Sequence, residues 1–150
     1  MKVRPSALII QNNHALLMHY RYGDVDVYAL PGGNPDRGET LPQVTGRELE
    51  EELGITVEVG PMLLAGEVMR PESDPALAHK VVLHVVFAAE IIAGFPALNP
   101  EHTTALAIVW KPVRELNTLN MYPNVGQYIQ DLVLKQSPLG YVGMIDQAFF

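Results

Sequence analysis

Residues 33–55 read Gly33-Asn34-Pro35-Asp36-Arg37-Gly38-Glu39-Thr40-Leu41-Pro42-Gln43-Val44-Thr45-Gly46-Arg47-Glu48-Leu49-Glu50-Glu51-Glu52-Leu53-Gly54-Ile55. The stretch divides into a polar, turn-rich loop as far as Glu39 and a helix predicted over 40–53. Thr40 is the expected N-cap, and Pro42 falls in the first turn, where its missing N–H costs nothing. Gly54 stands where a left-handed residue ends a helix. At ~100° per residue, Glu48, Glu51 and Glu52 share an arc of roughly 100°. Leu49, Leu53 and Gly46 lie on a neighbouring arc that can face a core. Gly46 costs about 1 kcal/mol of helix propensity against alanine, and a close approach of the helix to a sheet is the expected reason for it. Three carboxylates on one arc repel each other, and hard divalent cations such as Mg²⁺ offset that repulsion through oxygen ligands. A solvated acidic helix face is the alternative reading of the helix alone.

The surrounding spacing narrows the choice. Gly33 is followed by five residues and Glu39, then by seven residues and Arg47-Glu48-Leu49-x-Glu51-Glu52-x-Gly54-Ile55. This is G-x5-E-x7-R-E-U-x-E-E-x-G-U, with U aliphatic, matched at all nine constrained positions. It resembles the Nudix box, the signature of the Nudix hydrolases, over 23 of the 150 residues. The resemblance implies an α/β/α sandwich with a mixed β-sheet, in which the box forms a loop–helix–loop. It also implies Mg²⁺-dependent (or Mn²⁺-dependent) hydrolysis of a nucleoside diphosphate linked to another group. On that mapping Glu51 and Glu52 are the central metal ligands. Glu48 is a further ligand or the residue that activates water, and the backbone of Gly32 or Gly33 completes the metal shell. Arg47 and Glu39 pair with each other or with the box glutamates and, with Gly54, support the box. The chemistry is consistent: a pyrophosphate bridge repels nucleophiles until its charge is neutralised, and a carboxylate can take the proton from water.

Outward from the box, Val3–Ile10 and Ala15–Tyr20 are apolar and β-prone around the turn signal Gln11-Asn12-Asn13, which predicts a hairpin. Val27–Leu30 is a short strand running into Pro31-Gly32-Gly33. After the box come predicted strands at 55–59, 62–69, 80–92 and 104–110, a helical turn at 113–116 and a helix over 125–135. Strands outnumber helices and no crossover helices separate the hairpins. That pattern predicts an α/β fold with a mixed sheet and helices on its faces. The length suits one domain over 1–150, and 48% hydrophobic residues suffice for a core. Ten Lys and Arg against 17 Asp and Glu give a net charge of −7, which argues against a nucleic-acid polymer as partner. There is no cysteine, so thiolate metal sites and a cysteine nucleophile are excluded. No apolar run approaches ~20 residues, and residues 1–5 lack the apolar core of a signal peptide. A cytoplasmic protein with no membrane association is expected, and its expected partner is a small-molecule nucleotide derivative.

Substrate contacts are expected outside the box. Glu101, in Asn99-Pro100-Glu101-His102, is the candidate for a downstream catalytic carboxylate, with Glu72 and Asp74 behind it. Arg70, His79 and Lys80 are candidates for a distal phosphate or sugar. Tyr28, with Tyr20 and Tyr22, is placed where a base could stack. The absence of cysteine argues against the isopentenyl diphosphate isomerases of this family, and the charge argues against mRNA decapping. ADP-ribose or a nucleoside diphosphate sugar is the expected substrate. The alternatives are a (deoxy)nucleoside triphosphate pyrophosphohydrolase and a non-catalytic binding module, although such modules commonly lack box glutamates that are all present here. Residues 137–150 form an apolar tail carrying Leu139, Tyr141, Val142, Met144, Ile145, Phe149 and Phe150. Either it folds back over its own domain or it packs against a second copy in a homodimer.

Overall fold

A computed structural model describes residues 1–70, 80–137 and 139–150. Eight strands and two α-helices follow in the order β1 (Lys2–Leu8), β2 (Ile10–Gln11), β3 (His14–Tyr22), β4 (Val25–Ala29), α1 (Leu41–Leu53), β5 (Thr56–Arg70), β6 (Lys80–Ala93) and β7 (Ala107–Pro112). A 3-10 helix (Val113–Thr118), α2 (Gly126–Leu134) and β8 (Gly140–Met144) complete the chain. One sheet has the order β1-β6-β5-β8; in the other, β3 pairs with β2, β4 and β7. The first is mixed, because β1 and β8 run parallel to their neighbours while β5 and β6 are antiparallel. The α/β architecture with a mixed sheet is therefore as expected, with the strands divided between two sheets.

Three local expectations are corrected. The hairpin predicted over Val3–Tyr20 is confined to Ile10–Gln11 paired with His14–Ala15, turned by Asn12 and Asn13 at φ 51° and 59°. Asparagine tolerates that left-handed pair, as two-residue hairpin turns require. β1 instead crosses to the other sheet and lies parallel to β6. Tertiary pairing overrides the local turn because β6 offers a longer apolar partner. The strands predicted at 55–59 and 62–69 are one long strand, β5, whose register against β6 shifts between Val59 and Leu64. The irregularity absorbs Gly60 and Pro61, which a regular ladder would not accept. Gly46 is not explained by a close approach, since a Cβ there would meet nothing within 4 Å.

Helix α1 starts and stops as its sequence dictates. Gln43 N–H donates to Thr40 Oγ1 and the Gln43 side chain accepts from Thr40 N–H, a reciprocal capping box. Gly54 ends the helix at φ 67°, its N–H donating to Glu50 O at 3.0 Å. Leu49 and Leu53 pack with Ala7, Ile9, Leu16, Met18 and Ile55 in one buried cluster. A second cluster joins Leu8, Leu17, Val86 and Met121 to Val125 and Ile129 beside α2. With α1 fixed by its leucines, the glutamate arc is turned out of the core. No helix among the described residues is long and apolar enough to cross a membrane.

The tail takes the intramolecular course for part of its length. β8 adds to the edge of β5, Ile145 N–H donates to Glu67 O at 2.8 Å, and Ile145 is buried. Gly66 makes room for it, since a Cβ there would meet Ile145 Cδ1 at 2.7 Å and Val142 Cγ2 at 2.8 Å. Tyr141, Met144, Phe149 and Phe150 remain exposed.

His84 of β6 is 1% exposed, packs edge-on against Tyr122 with ring centroids 5.5 Å apart, and leaves Nε2 without a hydrogen-bond partner. Burial pushes its pKa down from 6.5 to about 4, with the Arg4 charge adding to the effect. The unfolded chain therefore takes the proton first on acidification. Stability is lost as pH falls from 6.5 towards 4, by up to about 3 kcal/mol. Glu52, whose pKa is raised, acts in the opposite direction over part of that range. The comparison to make is therefore urea denaturation of wild type against His84→Phe at pH 7.5 and pH 5. The variant is expected to lose less stability than wild type between the two pH values.

Candidate active site

Arg47, in the middle of α1, organises the loop before the helix. Its Nε donates to Glu39 Oε2 at 2.7 Å and its Nη2 to Glu39 Oε1 at 2.9 Å, a two-pronged pair. Nη1 donates to Glu48 Oε1 at 3.2 Å and to Glu51 Oε2 at 3.1 Å, and Nη2 reaches the Asn34 carbonyl at 3.1 Å. Asp36 Oδ2 lies 3.5 Å from Nη2, and Asp36 N–H donates to Glu39 Oε1 at 2.8 Å. One guanidinium thus ties loop 34–39 to two of the three arc carboxylates. These bonds hold the Glu39 carboxyl below the usual carboxylate range and push Arg47 further up. Arg47, Glu39, Glu48 and Glu51 are brought together.

Glu48 and Glu52 differ from Glu51 in burial. Burial pushes the Glu48 carboxyl up, against the Arg47 charge. Glu52 is 9% exposed, and its carboxylate has no hydrogen-bond partner among the described residues. Burial, then the Glu48 and Glu51 charges, push it up to about 7, with Arg4 opposing. The glycine pair lets the loop approach closely. A Cβ on Gly33 would fall on the Glu48 carboxylate, and one on Gly32 would meet Ser6 Cα at 2.7 Å and the Pro5 carbonyl. Gly33 N–H donates to Pro5 O at 3.3 Å, and Ser6 forms a β-bridge with Gly32. Among the described residues, no three acidic or histidine side chains converge closely enough to hold an ion. Glu48 and Glu51 lean on Arg47, while Glu52 makes no bond to it.

Glu52 opens on a recess of about 320 Å³ that is also lined by Tyr20, Glu101, His102, Thr103 and Thr104. Loop 94–104 is fastened to the end of α1, with Ala97 N–H on Leu53 O at 3.0 Å and Asn99 N–H on Glu52 O at 2.9 Å. Tyr20 OH lies 3.5 Å from Thr103 Oγ1. Glu101 thus lines the same recess as Glu52. Tyr28 does not: it is the register partner of His19 and stacks on it at 4.9 Å, while Tyr20 pairs with Val27. Alternation along the strand sends Tyr28 to the α2 side of the sheet, with Lys111 Nζ 5.4 Å from its ring. Arg70 and Lys80 are the last register partners of the β5–β6 ladder, opposite the Thr56–Ala93 end, and both are exposed. His79, Glu72 and Asp74 lie outside the described residues. Sequence reasoning missed Arg4, whose charge acts on Glu48, Glu52 and Tyr20. A single arginine at the start of a strand carries no pattern from which its place could have been read.

A family model described as NUDIX domain matches residues 2–132. An ADP-ribose pyrophosphatase of Methanocaldococcus jannaschii is 33% identical over 88 residues, covering 57% of this chain and 49% of the relative. The chain therefore matches about half the length of that protein. A nucleoside triphosphatase, NudI, of an Enterobacter species is 29% identical over 121 residues, covering 75% and 84% of the two chains. Among solved structures, a MutT protein from Methanosarcina mazei superposes with a TM-score of 0.68 at 20% identity, covering 91% and 95%.

The Arg47 network yields a stability test. Arg47→Ala strands Glu39 and part of the arc, and is expected to lower the midpoint of urea denaturation. Arg47→Lys, which keeps the charge but not the fork, is expected to recover less than half of that loss. Wild-type stability in Arg47→Ala would make the residue an ordinary surface charge.

Proposed function

The chain belongs to the NUDIX family, and from that premise we propose that it is a divalent-metal-dependent pyrophosphohydrolase. Its substrate is a nucleoside diphosphate linked to another group, with ADP-ribose or a nucleoside diphosphate sugar first. The observation that carries the reading is Glu52, a buried residue whose carboxylate has no partner among the described residues, on one arc with Glu48 and Glu51. A donor set made only of carboxylate and carbonyl oxygens suits a hard ion such as Mg²⁺ or Mn²⁺.

Glu51 and Glu52 are the residues to hold the ion, with Glu48 and the backbone of Gly32 or Gly33 as further donors. The chemistry such an ion supplies is neutralisation of crowded phosphate charge and activation of water. Arg47 and Glu39 fix where the glutamates point, and Gly54 ends the helix directly after them. Glu101, across the recess from Glu52, is the carboxylate to take the proton from the attacking water, with Glu48 the other candidate. Arg70, His79 and Lys80 remain our candidates for the far end of the substrate. The wider coverage of the nucleoside triphosphatase relative favours a second reading, hydrolysis of (deoxy)nucleoside triphosphates. We place the protein in the cytoplasm, among such nucleotides, and read the whole chain as one domain.

A hydrolysis screen over ADP-ribose, sugar nucleotides, dinucleoside polyphosphates and nucleoside triphosphates with Mg²⁺ tests the function. Release of a nucleoside monophosphate that stops on addition of EDTA is expected. Tight binding without product throughout the screen would instead indicate a binding module. Glu51→Gln and Glu52→Gln are each expected to lower turnover at least ~100-fold. Near-wild-type rates in both at saturating Mg²⁺ would refute the metal assignment.

We also propose that the exposed Tyr141, Met144, Phe149 and Phe150 are covered by a second copy of the chain. Light scattering at tens of micromolar is expected to give a dimer mass, and deletion of residues 137–150 a monomer. A full-length monomer at that concentration would end the proposal.

A further inference from the structure

Two arginines border the acidic arc, in opposite states. Arg47 is committed: its guanidinium binds Glu39, Glu48, Glu51 and the Asn34 carbonyl. Arg4 makes a single long hydrogen bond, Nη1 to Asn34 Oδ1 at 3.4 Å, to a neutral amide. It has no ion pair among the described residues. Yet it is a close neighbour of the chemistry. Asn34, which it touches, follows Gly33, and the Glu48 carboxylate lies against Gly33. Its position is set by backbone on both sides. Arg4 is the register partner of His84 in the β1–β6 ladder, and the next residue, Pro5, accepts from Gly33 N–H. An arginine that has carboxylates within reach of its field and pairs with none of them keeps most of its five donors unspent.

Polar capacity beside Arg4 is unspent as well. Residues two apart on a strand share a face, as do register partners on neighbouring strands, so Arg4, Ser6 and His84 face the same way. Ser6 Oγ and His84 Nε2 are both buried and both lack a hydrogen-bond partner among the described residues. Buried polar atoms are rarely left so, because desolvation without a partner is costly. Arg4 thus stands on a face whose buried polar atoms lack partners among the described residues, where β1 meets the Gly32–Gly33 loop.

We propose that Arg4 binds the pyrophosphate of the substrate from the side opposite the Glu48–Glu52 arc. The assignment rests on the hydrolase reading above. The planar guanidinium fork matches two non-bridging phosphate oxygens, a task that Arg47 cannot share because its donors are occupied. Arg4 is thus a substrate-binding residue, and Ser6 and His84 line the same face.

The test is equilibrium binding of α,β-methylene-ADP, a non-cleavable diphosphate probe, by calorimetry in Mg²⁺. Arg4→Gln is expected to weaken binding ~10- to 100-fold, the loss of a charge-assisted hydrogen-bonded pair, and Arg4→Lys to restore part of it. Arg114→Gln, an exposed arginine on the 3-10 helix, is expected to leave affinity unchanged. On any substrate cleaved in the screen, Arg4→Gln is expected to raise KM more than it lowers kcat. Wild-type affinity in Arg4→Gln overturns the assignment. So does equal loss in Arg4→Gln and Arg4→Lys with a matching drop in Tm, which would mark a structural role. Absence of probe binding by the wild type overturns it too. If Arg4→Gln does not fold, Arg4→Lys carries the comparison: a loss of several-fold supports the assignment and wild-type affinity overturns it. Binding that depends on Arg4 supports the assignment even if nothing in the screen is cleaved, an outcome that sinks the hydrolase reading alone.

Discussion

The guanidinium of Arg47 holds the site together. Glu39 before the helix and Glu48 and Glu51 within it are each anionic, and without a cation among them loop 34–39 would have no reason to lie along α1. Two prongs on Glu39, one donor shared by Glu48 and Glu51, and one bond to the Asn34 carbonyl convert that repulsion into a fixed geometry. The pair is only partly exposed, so solvent screens it less than a surface ion pair. The guanidinium holds two of the three arc glutamates and leaves Glu52 aside. That asymmetry is what makes Glu52 distinctive: it is buried, flanked by like charges, and its carboxylate has no partner among the described residues.

Glycine supplies the second constraint. At Gly32 and Gly33 the chain passes so close to β1 and to Glu48 that no side chain fits. The contact joins the two sheets, through the Ser6–Gly32 bridge, at the point where the acidic arc begins. Arg4 thereby comes from the first strand to the box, some thirty residues further along the chain. On the other side, loop 94–104 is hydrogen-bonded to the last turn of α1 and brings Glu101 to Glu52. The box helix is therefore walled by segments distant from it in sequence.

Much of this was legible in the sequence alone. Thr40 and Gln43, Pro42 and Gly54 state where α1 begins and ends, and they do so by local hydrogen bonding and backbone sterics that need no partner from elsewhere. The i, i+3, i+4 spacing of Glu48, Glu51 and Glu52 places them on one arc by helix geometry. The Gly33–Ile55 spacing carried the family. The sequence could not say where β1 pairs, because a β-prone segment next to a turn is equally consistent with the adjacent strand and a distant one. Only the competition for β6 decided it. Nor could it separate Tyr20 from Tyr28, since the face each tyrosine takes depends on the register of β3 and β4. The partners of Arg4 and the orphaned Ser6 and His84 were likewise invisible, because burial and pairing across thirty to eighty residues are properties of the packed molecule. What local geometry and steric rules govern was thus determined by the sequence itself. What depends on strand register and on charges brought together from separate segments was decided only by the tertiary structure.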